Sequence, residues 1–159
     1  MISFSQNSKR FNFRVAGIAV DGDRILLHRL DKDDFWTFPG GRVELGETSQ
    51  EALVRELQEE LNTDIEIVRL LWLVENFFEY NHQQYHEIAF YYLIQFRWRS
   101  PYLAKDKSFF GVEDDHKLEF RWFVNDFEVL KQLPLLPSFL QQSLSNLPSS
   151  VEHIIQRDR

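Results

Sequence analysis

The stretch from Gly40 to Thr63, GGRVELGETSQEALVRELQEELNT, constrains this chain more than any other. A glycine pair leads into a capped helix. Thr48 is followed three residues later by Glu51, a capping-box signature that sets the helix start near Ser49. Asn62 follows the last periodic apolar residue, Leu61, and asparagine adopts the left-handed conformation that closes a helix more readily than other non-glycine residues. At about 100° per residue, Leu53, Val54, Leu57 and Leu61 share one side and are expected to form the core face. Glu56, Glu59 and Glu60 form a second stripe beside it, with Glu60 at the apolar rim and partly shielded from water. Arg55, Glu51 and Gln58 point elsewhere.

Glu56 faces Glu59 at i,i+3 and Glu60 at i,i+4, and each like-charge pair costs an isolated helix about 0.2–0.5 kcal/mol. Near an apolar rim the cost rises. A divalent cation removes it, and hard oxygen ligands point to Mg²⁺, or Mn²⁺ as its close substitute. For an arbitrary EExxE helix a solvated acidic face is the ordinary explanation. Here the flanks argue otherwise: Gly41, five residues, Glu47, seven residues, then Arg55-Glu56-Leu57-Gln58-Glu59-Glu60. This pattern resembles the Nudix box of the MutT-like hydrolases, with every charged position filled at the expected spacing. Two positions depart from it. Asn62 stands where the family has glycine, and Thr63 where it has an aliphatic residue; neither carries chemistry.

The resemblance implies an α+β chain with the Nudix fold, an α/β/α sandwich around a central mixed β-sheet. It also implies a metal-dependent hydrolase that cleaves a phosphoanhydride in a nucleoside diphosphate linked to another moiety. Carried onto this sequence, the catalytic set is Glu47, Arg55, Glu56, Glu59 and Glu60. Glu59 and Glu60 are the main Mg²⁺ ligands, and the Gly40 carbonyl helps hold the metal. Glu56 serves either a second ion or as the base that takes the water's proton. Glu47 and Arg55 pair to brace the loop against the helix. A further carboxylate is expected after the central hairpin, with Glu119, Glu113 and Asp114 as candidates and Glu119 assigned to the metal. Segments such as HEIAFYY are similar to small bacterial Nudix proteins grouped loosely with ADP-ribose pyrophosphatases. The expected substrate is therefore ADP-ribose or another nucleoside diphosphate derivative, with (d)NTPs close behind. Dinucleoside polyphosphates are an alternative, for which Tyr80 stands in about the right place. A non-catalytic nucleotide sensor is the competing class, but such domains usually lose box glutamates that this chain keeps.

Composition sets the outer bounds. With 159 residues a single domain spanning 1–159 is expected. Hydrophobic residues make up 43%, and fifteen phenylalanines with four tryptophans suffice for a core. The net charge of −7 argues against nucleic-acid backbone binding, but not against a nucleotide, because a metal and a few arginines can invert the field in a cleft. The absence of cysteine excludes disulfides and thiolate metal sites. No apolar leader and no membrane-length apolar run is found, so the expected location is cytoplasmic, with no membrane or nucleic-acid partner. A homodimer through the aromatic-rich hairpin or the C-terminal strand is consistent with the family.

Along the chain, residues 1–10 read as a loose polar lead-in. Phe11–Val20 and Arg24–Leu30 read as a hairpin about Asp21-Gly22-Asp23. His28, Trp36 and Phe38 are expected to be structural, and Arg29 and Arg42 are possible phosphate partners. Pro39-Gly40-Gly41 reads as a sharp loop whose glycines permit unusual backbone angles. Asp64–Tyr80 reads as one long strand or two separated by a bend. Asn81–Gln84 is a turn and Tyr85–Trp98 a long strand, with His86-Glu87 able to reach either the cleft or the surface. Arg99–Lys117 reads as a long loop containing Pro101, Gly111 and an acidic cluster, and Leu118–Val124 as a strand. A short helix from Asn125 or Asp126 to Leu133, a second over Pro137–Leu147, and an edge strand or dimer contact at Val151–Ile155 complete the reading.

Overall fold

The computed structural model describes residues 1–97 and 107–158. In chain order the elements are β1 (Ser3–Gln6), β2 (Lys9–Asp21), β3 (Arg24–Leu30), β4 (Gly40–Arg42), α1 (Ser49–Leu61), β5 (Ile65–Tyr80), β6 (Gln83–Phe96), β7 (Phe109–Glu113), β8 (His116–Val124), α2 (Phe127–Leu130), α3 (Leu140–Ser143) and β9 (Glu152–Arg157). The sheet runs β7-β8-β3-β2-β6-β5-β9, and β1 and β4 pair with β2 off this path. It is mixed: β2–β6 and β5–β9 are parallel, and the other pairs are antiparallel.

Two apolar layers flank the sheet. On one side Ala52, Leu53, Leu57 and Leu61 of α1 pack against Val15 and Ala19 of β2, Tyr92 and Ile94 of β6, and Leu118, Phe120 and Trp122 of β8. On the other, Leu130, Leu135, Leu140 and Leu144 cover Ala16, Ile18, Trp72, Val74 and Tyr91. The result is the expected α/β/α sandwich, with one substantial helix on one face and two four-residue helices on the other.

One feature of the sheet positions the site. β2 and β3 pair only beside their turn, at Val20↔Ile25 and Asp21↔Arg24, and then diverge. β3 continues against β8 over seven residue pairs, while β4 takes the vacated edge of β2, with Ala16↔Gly40 and Val15↔Gly41. The sheet is split open between β2 and β3 just where the glycine pair and α1 begin.

Several expectations need correction. Residues 1–10 are not a loose lead-in: β1 folds back on β2 through Asn7, which sits at φ 56°. The expected loop before residue 117 contains β7, joined to β8 through Asp114 and Asp115. Both have positive φ, the conformation of a two-residue hairpin turn. Of the two readings of 64–80 the single long strand holds, from Ile65, and its irregularities, at Ile67/Arg69 and Leu70/Trp72, let both Leu71 and Trp72 face inward. Val54 is not in the core. It is 37% exposed, and Ala52 is fully buried in its place, because α1 turns the stripe Ala52-Leu53, Glu56-Leu57, Glu60-Leu61 inward. The two expected late helices shrink to α2 and α3, with Pro134 and Pro137 between them. Trp98, Pro101 and the rest of residues 98–106 lie outside the described residues.

Candidate active site

α1 is anchored at both ends. The Thr48 hydroxyl accepts from Glu51 N and the Glu51 carboxylate accepts from Thr48 N, both at 3.1 Å. Asn62 closes the helix at φ 50° and ψ 44°, with its N–H on Gln58 O. These caps fix where α1 starts and stops, and the packing of Ala52, Leu53, Leu57 and Leu61 on the sheet sets the rotation that turns Glu56 and Glu60 toward its split.

The glycine pair works by close approach rather than by unusual angles, since neither Gly40 nor Gly41 has positive φ. A Cβ on Gly41 would lie 2.2 Å from the Glu56 carboxyl carbon. Only a bare backbone lets β4 pass so near the acidic stripe.

Arg55 ties this stretch together. Its Nη2 and Nε donate to the two oxygens of Glu47 at 2.6 and 3.1 Å, and Nη2 also reaches Arg42 O at 3.2 Å. Its Nη1 donates to Glu56 at 2.9 Å and lies 3.4 Å from Glu59. The bidentate bond from Arg55 is the main cause holding the Glu47 carboxyl below its usual range. Glu47 also accepts from Glu44 N at 2.9 Å, so loop, β4 and helix share one clamp.

Glu60 is the unusual member. It is 7% exposed, and both carboxylate oxygens are buried without a hydrogen-bond partner. Burial, then the charges of Glu113 and Glu56, push its carboxyl well above the usual range. Glu56 is pushed up as well, by burial, against the pull of Arg55. The His28 imidazole lies across from Glu60, Nδ1 to Oε2 3.9 Å, and burial lowers its pKa to about 3, so it is neutral.

The other sequence candidates separate. Glu119 does not face this group: its oxygens are taken by Arg29 at 3.0 Å, Ser108 at 2.8 Å and Arg121 at 2.7 Å. Burial raises its carboxyl, but the three hydrogen bonds outweigh that and hold it below the usual range. Glu113, at the end of β7, is the carboxylate felt most strongly by Glu60. It is delivered there because β7 passes close against the end of α1; a Cβ on Gly111 would meet Glu60 O at 2.5 Å. Asp114 is in the hairpin turn. Glu59 is mostly exposed. Trp36 and Phe38 are core residues, 4% and 1% exposed.

A cleft of about 320 Å³ opens beside this group. Gly40, His28 and Glu113 lie at its acidic end, and Phe35, Phe78, Tyr80 and Tyr85 line it further out. Its floor is a buried polar cluster of which sequence reading offers only Glu87, as a residue able to reach the cleft. Glu87 accepts from the amides of Asn12 and Asn76 and lies within the field of Arg14, whose Nη2 donates to Phe38 O at 2.9 Å. Asn76 Oδ1 has no partner. The available signal was alternation: Asn12 and Arg14 are two apart in β2, and Asn76 and Glu87 interrupt apolar strands. Arg42 also lines the cleft and has no carboxylate partner among the described residues, whereas Arg29 is spent on Glu119.

Among the described residues no three carboxylates or imidazoles are gathered closely enough to hold a cation as they stand. Arg55 lies between Glu56 and Glu59. The donor set nonetheless fits a hard cation. Two orphaned carboxylate oxygens on Glu60, with Glu56 and Glu113 raising its pKa from nearby, are what a divalent ion with oxygen ligands would satisfy.

An 8-oxo-dGTP diphosphatase from Proteus vulgaris is 36% identical over 74 residues, 46% of this chain and 62% of that protein. An RNA pyrophosphohydrolase from Campylobacter jejuni subsp. doylei is 36% identical over 70 residues, 40% of this chain and 45% of that protein. The matched stretches thus span 45–62% of the length of these curated relatives. The crystal structure of a MutT NUDIX hydrolase from Burkholderia pseudomallei superposes with a TM-score of 0.62 at 24% identity, covering 85% of this chain and 96% of that one; what the two share at this level is the fold. The NUDIX domain profile matches residues 10–137, and the chain belongs to the NUDIX domain family.

Proposed function

We propose that this protein is a divalent-metal-dependent hydrolase that cleaves a phosphoanhydride bond in a nucleoside diphosphate carrying a further group, either ADP-ribose-like or a (d)NTP. The observation that carries the reading is Glu60, a buried carboxylate with both oxygens unpartnered, which lies behind His28 at 3.9 Å, and His28 lines a nucleotide-sized cleft. Glu60, Glu56 and Glu59, with the Gly40 carbonyl and Glu113, would hold Mg²⁺ or Mn²⁺. When bound, such an ion neutralises pyrophosphate oxygens and lowers the pKa of a coordinated water.

The chain's own residues supply the rest. Arg14 and Arg42 face the cleft beside Gly40 and are suited to phosphate oxygens. Glu56, with its pKa raised by burial, is suited to accept a proton from the attacking water. The Arg55–Glu47 clamp keeps Glu56 in place. The aromatic wall of Phe35, Phe78, Tyr80 and Tyr85 suits the flat face of a base. The two relatives, an RNA pyrophosphohydrolase and an 8-oxo-dGTP diphosphatase, are both compatible with a cleft that accepts one nucleoside with its phosphates.

The test is product release from a panel of ADP-ribose, NTPs, dNTPs, 8-oxo-dGTP, diadenosine polyphosphates and triphosphate-ended RNA, with Mg²⁺, with Mn²⁺ and with chelator. Glu60→Gln and Glu56→Gln run beside the wild type. Turnover of one class, lost in both variants and in chelator, is the expected result. Tight binding of a nucleotide with no turnover anywhere would replace this reading with a sensor.

A further inference from the structure

Strand register lays the cleft floor down in rows. Side chains on one face of a strand recur at every second residue, about 6.8 Å apart. In the inner row Arg14 of β2 stands opposite Arg42 of β4. One step outward, Asn12, Glu87 and Asn76 stand abreast on β2, β6 and β5. One step further, Tyr85 and Phe78 stand opposite each other with their rings parallel at 5.0 Å. All three rows line the cleft, and they run from cations through acceptors to aromatic rings.

The middle row is not closed on itself. Glu87 is 6% exposed and Asn76 5%. The donors on the Glu87 carboxylate are two neutral amides, those of Asn12 and Asn76. A carboxylate offers about four lone-pair sites, so these two bonds leave capacity to spare. Asn12 Oδ1 accepts from the Ser3 hydroxyl at 2.8 Å, and Ser3 in turn accepts from Arg10 Nε at 2.9 Å, which fixes that end of the row. Asn76 Oδ1 is buried with no partner. Buried polar atoms in folded proteins are normally paired. Here an orphaned acceptor stands beside a carboxylate with free lone pairs, in the wall of a cleft. Only donors satisfy such a pair. A phosphate, which is anionic and offers acceptors alone, does not; two neighbouring hydroxyls do.

We infer that Glu87 and Asn76 bind the hydroxyls of the nucleoside's sugar, so that the cleft takes ribonucleotide derivatives in preference to deoxyribonucleotides. The inference rests on the hydrolase reading above, with phosphates at Arg14 and Arg42 and a base on the aromatic wall. A nucleotide laid along the floor in that sense has its parts in the order of the rows: phosphate on the cations, sugar over Glu87 and Asn76, base against Tyr85 and Phe78. The 2′ and 3′ hydroxyls of ribose are adjacent donors, and a carboxylate is a well-matched partner for them. Deoxyribose brings one donor fewer and leaves a buried acceptor unpaired. That is the circumstance in which a site most sharply rejects an analogue lacking a hydroxyl.

The test is steady-state hydrolysis, with Mg²⁺, of ATP, GTP and ADP-ribose, each beside the form whose nucleoside is 2′-deoxy. Wild type runs beside Glu87→Gln and Asn76→Ala, whose folding is checked by circular dichroism. Wild type is expected to favour the ribose form in kcat/KM by roughly 10–100-fold, whichever base it carries. Each variant is expected to shrink that ratio by slowing the ribose form. Wild-type turnover with the two sugars equal, or with deoxyribose preferred, overturns the inference and leaves the hydrolase reading standing; this comparison needs no variant to fold. So does a preference that follows the base instead of the sugar, or a ribose preference that both folded variants keep. No hydrolysis of any of these nucleotides overturns the hydrolase reading, and the inference with it.

Discussion

Replacing Glu60 with glutamine keeps the shape of the side chain and removes its charge, so it measures what the buried charge costs the fold. Glu60 is 7% exposed with two unpartnered oxygens. An unsatisfied buried polar group costs about 1–3 kcal/mol, and more when charged. Its carboxyl holds a proton well above the ordinary value of 4.5. Between 4.5 and the raised folded value, the native state binds more protons than the unfolded chain, so stability falls as pH rises through that window. In chelator, wild type and Glu60→Gln should therefore be nearly equal in stability at acid pH and separate as pH rises. By about pH 8 the variant should be more stable by at least ~1–3 kcal/mol, read from urea unfolding. Mg²⁺ at about a hundred times its Kd should then add roughly 2.7 kcal/mol to the wild type and little to the variant. A variant no more stable than wild type at alkaline pH in chelator, or an equal gain from Mg²⁺ in both, would refute the account of Glu60 as a carboxylate waiting for a cation.

Three other outcomes are expected. Gly111→Ala places a methyl 2.5 Å from the Glu60 carbonyl and should cost about 1–3 kcal/mol in unfolding free energy, with reduced turnover as Glu113 is displaced. Glu113→Gln should leave the melting temperature within a few degrees while weakening Mn²⁺ binding, followed by paramagnetic resonance, by roughly 10–100-fold. Thr48→Ala removes the N-cap of α1 and should cost about 1 kcal/mol by urea unfolding, with no change in the nucleotide preferred.

The parts of the fold legible in the sequence are those with local signals. Thr48 and Glu51 set one end of α1, Asn62 set the other, and Asp-Gly-Asp marked the first hairpin; all three depend on nearest neighbours. β1 was missed because it is largely exposed and shows no apolar alternation. β7 was missed because Asp114-Asp115 reads as an acidic cluster unless the aspartates are recognised as turn residues able to take positive φ. Val54 was misplaced because a wheel gives relative angles only. The absolute rotation of α1 is set by what it packs on, and Ala52 is small enough to lie flat against the sheet. In the site, the Glu47-to-Glu60 spacing was plain. The contest between Glu113 and Glu119 turned on β7 and on Arg29, Ser108 and Arg121, none of which spacing reveals. The Arg14–Glu87 floor depended on a parallel pairing between distant strands.

That pairing also sets an order of events. β2 and β6 are joined over eleven register pairs, each 75 residues apart along the chain. β1, β2, β3, β4 and α1 can find one another early, since all lie before residue 62. Long-range parallel pairing repays its loop-closure entropy late and slows folding. During synthesis the glycine loop and its acidic helix therefore emerge first, as a half-built substructure with β2 bare along one edge. The cleft floor closes only when β6 arrives and buries that edge.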